Sequence, residues 1–140
     1  SLQAKREHLE ASLDYVDTFL ADVKHTDAEK FKIYTGGELS VVIENFKRLE
    51  RHRSEVVARV PVIPGFNDSL EEIRGIADFA ASLSNIKEIN FIPYHTLGVH
   101  KYTLIGRKYA FLPKVPEWNG RLEIYVGMAQ AKGLTANIGG

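Results

Sequence analysis

The sequence predicts an α/β fold in which helices cover a parallel sheet. Segments with helically spaced apolar residues alternate with short, almost continuously apolar segments in the order α-β-α-β-α-β-α. The segments between successive strands are long enough for crossover helices, and near-continuous apolar strands are typical of parallel sheets. Three or four such strands do not close a barrel. The pattern therefore fits a piece of a larger α/β architecture or a small open sheet.

The composition is that of one ordinary globular domain, and it excludes several functional classes. The 140 residues include 18 Lys and Arg and 18 Asp and Glu, so no basic excess indicates nucleic acid or an acidic membrane. No apolar stretch approaches the roughly 18 residues of a membrane span, and the charged N-terminus does not resemble a signal peptide. The sequence has no cysteine, which fits a reducing, cytoplasmic location and excludes cysteine-bound metal in this chain.

The first part of the chain predicts a helix, a strand and a short helix. Residues 2–16 place leucines at roughly helical spacing with charges between them, which indicates an amphipathic helix. Residues 16–25 form a short apolar run that ends in charge, which indicates a buried strand. Thr26 precedes Glu29 by three residues, a capping-box pattern for a short helix. The glycine pair at 36–37 predicts the end of that helix.

The middle of the chain predicts a longer helix, a second strand and another helix. Residues 38–52 and 69–83 each carry an apolar helical face. Between them, residues 54–63 predict a strand, and Pro61 favours the end of that strand because proline has no ladder donor. Asp68 is expected to cap the next helix, with a glutamate three residues on. The two apolar faces comprise Leu39, Val42, Ile43, Phe46 and Leu49, and Ile73, Ile76, Ala77, Ala80 and Leu83.

The last part of the chain predicts a third strand, a long loop and a final helix. Residues 86–95 form another apolar run and predict the strand. The final helix is predicted over residues 118–133, with Gly133 as its C-cap. Residues 134–139 are compatible with one extra short strand.

Polar residues occur near the carboxyl end of each predicted strand. Alternation places Asp22 and Lys24 on one face of the first strand, while Arg59 lies in the second strand and His95 ends the third. Ligands of parallel α/β proteins lie outside these strand ends, where such a set could hold an amino-acid zwitterion and a ribose. Structural roles remain open, as an ion pair between Asp22 and Lys24 or a helix-capping role for Arg59. His95 could likewise bond a backbone carbonyl.

Four short motifs resemble those of a known family. The motifs "LADVKH", "YTG", "RVPVIPGFND" and "INFIPYHTLGVHKY" occur in this order, as in the C-terminal half of glycyl-radical-enzyme activating enzymes. The type that they resemble is the pyruvate formate-lyase activating enzyme of the radical S-adenosylmethionine (SAM) superfamily, and the tandem of the last two motifs is specific. The resemblance implies a partial (β/α)6 barrel. Residues 1–140 would supply its last three parallel strands with covering helices, as the C-terminal half of the barrel.

The resemblance also implies roles for four residues that would line a SAM pocket. Asp22 and Lys24 match the family's D-x-K motif, Arg59 matches the arginine before V-P-V-I-P-G, and His95 matches the histidine of P-Y-H. Lys24 and Arg59 would lie near the methionine carboxylate, with Asp22 and His95 nearer the ribose and adenine. In the family, a [4Fe-4S] cluster reduces SAM. The resulting 5′-deoxyadenosyl radical abstracts hydrogen from a glycine of a partner enzyme.

Two departures from the family pattern limit what the resemblance implies. The family holds its cluster in a C-x-x-x-C-x-x-C loop, whereas this chain has no cysteine. The chain is therefore expected to be part of a longer enzyme and inactive alone, with the cluster and the electron donor belonging to the full-length protein. Gly36, Gly37 and Glu38 spell the family's G-G-E motif, but they lie downstream of D-x-K instead of upstream. A helix stop followed by an N-terminal acid is the preferred interpretation.

The leading functional hypothesis is the SAM-binding half of a cytoplasmic activase that acts on a glycyl radical enzyme such as pyruvate formate-lyase. No nucleic acid or membrane partner is expected. The alternatives are another radical SAM enzyme or maturase, and a non-catalytic half-barrel interaction domain. Because a half barrel leaves an uncovered inner face and an unpaired strand edge, self-association or a rearranged C-terminus is also expected.

Overall fold

A computed structural model describes residues 2–94 and 118–140. These residues form five helices and four strands, and the helices and strands alternate along most of the chain. In order they are α1 (Arg6–Ser12), β1 (Thr18–Asp22), α2 (Ala28–Thr35), α3 (Leu39–His52), β2 (Glu55–Val62), α4 (Leu70–Ser82), β3 (Ile86–Pro93), α5 (Arg121–Gln130) and β4 (Thr135–Ile138). No helix in the described part of the chain has the length and apolar character needed to cross a bilayer.

The four strands form one parallel sheet in the order β1-β2-β3-β4. Each strand therefore lies beside its neighbour in sequence, as in a (β/α) barrel, without the reversal of strand order that marks a doubly wound sheet. The predicted α/β fold with parallel strands is confirmed, including the extra short strand at the C-terminus.

The hydrophobic core lies between one face of this sheet and the helices. Alternate residues of β2 are almost completely buried on that face, and the predicted apolar faces of α3 and α4 pack against them, as the periodicity requires. Phe46 of α3 meets Phe79 of α4 edge-on, with ring centroids 5.4 Å apart. The residues at the centre of the core include Phe46, Leu49, Val56, Ala58, Val60, Val62, Ile73, Ile76, Ile89 and Phe91.

The N-cap of α2 differs by one residue from the predicted one. Asp27 occupies the cap, and its side chain accepts a hydrogen bond from the Lys30 N–H at 2.8 Å. Thr26 is not the cap because its side chain packs towards α4, where a Cβ added at Gly75 would lie 2.8 Å from Thr26 Oγ1. The predicted end of α2 is confirmed, since Gly36 forms its C-cap with φ of 72°.

The N-cap of α4 shows the same displacement of one residue. Ser69 accepts a hydrogen bond from the Glu72 N–H at 3.1 Å, and the Glu72 carboxylate accepts one from the Ser69 N–H at 3.2 Å. Asp68, the predicted cap, instead pairs with Arg121 of α5 at 3.0 Å. The sequence offered two adjacent capping residues, each three positions before a glutamate, so the spacing could not choose between them.

The first and last helices are shorter than the sequence predicts. α1 covers Arg6–Ser12 of the predicted 2–16, and α5 covers Arg121–Gln130 of the predicted 118–133. Gly133 is not the C-cap of α5, because the helix ends before it. Gly133 instead has φ of 87° in the turn that leads into β4, a conformation that glycine adopts without steric cost.

Candidate functional site

Four polar side chains form a level row across the sheet, on the face that points away from the helices. The strand register pairs Asp22 with Arg59, Arg59 with Asn90, and Asn90 with Asn137. Residues in register on neighbouring parallel strands share one face and lie about 4.8 Å apart. Asp22, Arg59, Asn90 and Asn137, called the polar row below, therefore occupy one level near the carboxyl ends of the strands.

The positions two residues before and two residues after the polar row, on the same face of the sheet, differ in polarity. Two residues nearer the start of each strand, the same face carries Leu20, Val57, Glu88 and Thr135. Leu20 is 62% exposed, although it lies in a strand. On the other side, Lys24 follows two residues after Asp22 and extends the polar surface beyond the end of β1. Asp22 and Lys24 are thus separated from the buried Ala21 and Val23, as alternation predicts.

Asp22, Lys24 and the Arg59 Nε atom have no ion-pair or hydrogen-bond partner for their charged groups within the described residues. In residues 2–94 and 118–140, neither Asp22 nor Lys24 takes part in an ion pair, so the predicted structural alternative of an Asp22–Lys24 pair is not formed there. The Arg59 Nε atom is buried and has no hydrogen-bond partner among residues 2–94 and 118–140. A buried, unsatisfied guanidinium N–H costs free energy until an acceptor arrives. This end of the sheet therefore suits a ligand that carries an anionic or carbonyl oxygen.

On β3 and β4, the two amides of the polar row form a cluster with the Glu88 carboxylate on the adjacent level, and the sequence analysis missed this cluster. Asn90 donates to Glu88 Oε1 at 3.0 Å, and Asn137 donates to Asn90 Oδ1 at 3.2 Å and to Glu88 Oε1 at 3.4 Å. Glu88 and Asn90 are two positions apart in a strand that is otherwise largely apolar. That spacing was a usable signal for a polar face, whereas the position of Asn137 depends on the register of β4.

The carboxyl ends of β1 and β2 are joined by the side chain of Asn67, which is fully buried. Its amide nitrogen donates to the Lys24 carbonyl at 2.8 Å and to the Pro61 carbonyl at 2.9 Å. Its amide oxygen accepts from the Ile63 N–H at 2.8 Å. The sequence analysis treated this segment as a turn, and the contacts show that it also holds two strand ends together.

His25, directly after Lys24, joins β1 to α2 and α4 through a buried imidazole that is 3% exposed. Its Nδ1 accepts the Asp27 N–H at 2.9 Å, so Nδ1 carries no proton and Nε2 is the donor. Nε2 donates to the Phe66 carbonyl at 3.1 Å and to Glu72 Oε1 at 3.3 Å. His25 is therefore a structural histidine below the strand end that carries Asp22.

Glu72 receives further hydrogen bonds beside His25. Lys30 of α2 donates to the same carboxylate oxygen, and Ser69 donates its backbone N–H to the other. Burial alone would raise the pKa of Glu72, but the hydrogen bonds from Lys30, Ser69 and His25 outweigh it and lower the pKa to about 2. This ionised carboxylate links α2, α4 and the end of β1.

The G-G-E triplet lies away from the polar row. Gly36 and Gly37 join α2 to α3, and a Cβ added at Gly37 would lie 2.6 Å from Gln3 Oε1 and 3.3 Å from the Phe31 ring. Glu38 forms an exposed ion pair with Lys32 at 2.9 Å. Gly36 and Gly37 are therefore explained by the end of α2 and by close packing, and Glu38 by its ion pair, so none of the three residues requires a ligand.

His95 lies outside the described residues, so its predicted place beside Asp22 and Arg59 stays a prediction. In the described part of the chain, no group of three or more His, Asp or Glu side chains is arranged to hold a metal ion. A cavity of about 170 Å³ lies between the end of β1 and helices α3 and α4, and a groove of about 590 Å³ lies between the N-terminal segment and α3. Lys24 lines the smaller of the two, and neither is lined by Asp22 or Arg59.

Comparison with known proteins finds relatives that are named as activating enzymes. The 4-hydroxyphenylacetate decarboxylase activating enzyme of Clostridioides difficile (strain 630) is 36% identical over 89% of this chain and 40% of its own length. The choline trimethylamine-lyase activating enzyme of Oleidesulfovibrio alaskensis is 36% identical over 76% of this chain and 35% of its own length. The benzylsuccinate synthase activating enzyme of Thauera aromatica is 35% identical over 94% of this chain and 41% of its own length. The chain thus spans about two fifths of the length of these curated relatives. No family model matches the chain.

A solved structure has the same fold. The crystal structure of a domain of pyruvate-formate lyase-activating enzyme from Bacteroides vulgatus ATCC 8482 matches with a TM-score of 0.78 and 23% identity, covering 98% of this chain and 76% of that chain. At that identity the match establishes the fold alone. The sequence relatives add common descent to this shared fold, and the chain is therefore homologous to the glycyl-radical-enzyme activating enzymes of the radical SAM superfamily.

Proposed function

We propose that this chain is the SAM-binding part of a radical SAM activase that generates a glycyl radical on a partner enzyme. In this proposal residues 1–140 form the C-terminal half of the barrel, and the half that holds the cluster lies elsewhere in a longer protein. Asp22, Lys24 and Arg59 bind SAM at the carboxyl edge of the sheet, together with His95. The relatives named as activating enzymes support this assignment over a maturase or a non-catalytic interaction domain.

The observation that carries the proposal is the buried Arg59 Nε, in register with Asp22: within the described part of the chain the Nε has no acceptor and the Asp22 carboxylate forms no ion pair. SAM carries an α-carboxylate, an ammonium, a sulfonium and ribose hydroxyls. A guanidinium and an ammonium suit its carboxylate, and a carboxylate suits its cations or hydroxyls. The residues present therefore fit SAM. They do not fit the cluster, because the chain has no cysteine.

The chain's own contribution is to bind and orient. If bound, SAM would supply the group that accepts a hydrogen atom from a glycine of the partner, and the electron needed for its cleavage would come from a cluster held outside these 140 residues. Arg59 and Lys24 bind the α-carboxylate of SAM, and Asp22 binds one of its cationic groups or a ribose hydroxyl. These contacts orient SAM and so set the distance over which hydrogen transfer occurs. The sheet and its helices exclude water from one side of that edge.

Calorimetric titration of the chain with SAM tests this proposal. We expect saturable binding that weakens about tenfold, or about 1.4 kcal/mol, in Asp22→Asn and in Arg59→Gln, because each substitution removes a charge from the edge. Glu38→Gln is the matched control, since it removes a carboxylate of the G-G-E triplet that pairs with Lys32 away from the polar row. Equal weakening by Glu38→Gln, or no saturable binding by the unsubstituted chain, would contradict the proposal.

A further inference from the structure

The backbone ladder between β1 and β2 stops short of Lys24. Its last bond runs from the Val23 N–H to the Arg59 carbonyl at 2.8 Å. In a parallel ladder the next bond would run from the N–H of residue 61 to the Val23 carbonyl. Residue 61 is proline and has no N–H. The backbone of β2 therefore offers no donor to the Val23 carbonyl, directly before Lys24.

Asn67 connects the two strands by other acceptors at the point where Pro61 interrupts the ladder. Its side-chain NH₂ binds the Lys24 carbonyl and the Pro61 carbonyl, and its oxygen binds the Ile63 N–H. One planar group thus continues the connection between the strands by one residue beyond the ladder. The three contacts are 2.8–2.9 Å long, and Asn67 is 0% exposed, so water does not compete with them.

We propose that Asn67 is a positioning residue that fixes Lys24 relative to Arg59 at the ligand-binding edge. It acts through the backbone and contacts neither charged side chain. The inference rests on the proposed function for its consequence in SAM binding, although the interstrand bridge itself stands on the contacts alone. Because both of its N–H groups are used, a residue that lacks this pair of donors releases one strand end or both.

The test compares Asn67→Ala and Asn67→Ser with Asn85→Ala. Serine is too short to reach either carbonyl but fills part of the space, so it should show the same loss and provides a second variant if the alanine variant does not fold. Asn85 is the matched control because its amide also donates to a backbone carbonyl, that of Ser54, at 2.8 Å. That contact lies at the opposite end of the same sheet, where β2 and β3 begin.

Amide hydrogen exchange is the first readout. We expect exchange at residues 23–25 and 62–63 to accelerate about tenfold in Asn67→Ala without a matching change at the starts of β2 and β3, because local opening is confined to the end of the sheet that loses its donor. Asn85→Ala should show the reverse pattern. Uniform acceleration in both variants, or none at residues 23–25, would overturn the positioning role.

SAM titration is the second readout, made at temperatures where both variants are folded to the same extent. Affinity should fall about fivefold or more in Asn67→Ala and stay within about twofold in Asn85→Ala. Adding Pro61→Ala to Asn67→Ala offers the Val23 carbonyl a ladder donor and should recover part of the loss, whereas adding it to Asn85→Ala should leave the affinity unchanged. Unchanged affinity in Asn67→Ala overturns the inference. If the unsubstituted chain does not bind SAM, the proposed function fails, and the exchange pattern alone decides the role of Asn67.

Discussion

Glu72 shows how one side chain can hold three segments of the chain together. Its carboxylate accepts hydrogen bonds from Lys30 of α2, from His25 after β1, and from the backbone of Ser69 at the start of its own helix. The carboxylate is 14% exposed, and its ionised form is the one that these donors stabilise. Its charge therefore contributes to stability directly below the candidate site.

The depressed pKa of Glu72 predicts a loss of stability in acid. The folded-state pKa of about 2 is lower than the unfolded value of about 4.3. The contribution is therefore complete above pH 4.3 and disappears as the pH falls towards 2. We expect Glu72→Gln to lower the free energy of unfolding by about 1–2 kcal/mol at pH 6, after allowance for solvent screening. Denaturant titrations at pH 6 and pH 3 measure the difference.

The control for this prediction is Glu71→Gln, which removes a neighbouring exposed carboxylate from the same turn of α4. It should change the free energy of unfolding by less than about 0.5 kcal/mol at either pH. A stability difference between the unsubstituted chain and Glu72→Gln that is as large at pH 3 as at pH 6 would show that the charge of Glu72 is not responsible.

For single residues, the sequence predicts the positions of the charged side chains at the carboxyl ends of the strands better than the positions of the amide side chains. Asp22 and Arg59 could be expected near each other from the sequence, because parallel strands bring the carboxyl ends of β1 and β2 to the same end of the sheet. Asn67 could not be assigned, since its role depends on a fold in which Lys24 and Pro61 end side by side. Asn137 was also beyond prediction, because only the register of β4 places it beside Asn90.

The N-caps of α2 and α4 each lie one residue after the position that the sequence predicts. At α4, removal of the Ser69 hydroxyl should lower the free energy of unfolding by about 1 kcal/mol, because the Glu72 N–H loses its acceptor. Thermal or denaturant unfolding of Ser69→Ala measures this loss. Ser82→Ala, at the other end of α4, is the control, and its effect should be below about 0.5 kcal/mol. Equal effects would contradict the assignment of the cap.

The buried face of α3 provides a second element-scale prediction. Leu49 is 0% exposed in the core, whereas Val41 on the same helix is 38% exposed. Leu49→Ala should lower the free energy of unfolding by about 2–5 kcal/mol through lost burial and the remaining cavity. Val41→Ala should cost less than about 0.5–1 kcal/mol. Denaturant titration of both variants checks the difference, and similar losses would mean that the apolar face is misassigned.

Over the molecule as a whole, the sheet presents a surface that favours association. Within the described residues β1 pairs only with β2, so its other edge has no strand beside it, and Leu20 of β1 is 62% exposed. Unpaired edges and exposed apolar side chains promote pairing between chains. We expect light scattering to show a molar mass that rises with concentration, and Leu20→Lys to reduce that rise. A single monomeric mass at all concentrations would contradict this expectation.

The central claim is that SAM binds at the carboxyl edge of the sheet, and mapping of the bound ligand tests it most directly. A ¹H–¹⁵N correlation spectrum of the labelled chain, recorded during titration with SAM, reports on each backbone amide. The account predicts saturable shifts concentrated at residues 22–24, 59–60, 62–63 and 90–92, which adjoin the polar row, and at His95. Shifts concentrated in the groove between the N-terminal segment and α3, or no saturable shifts anywhere, would contradict it.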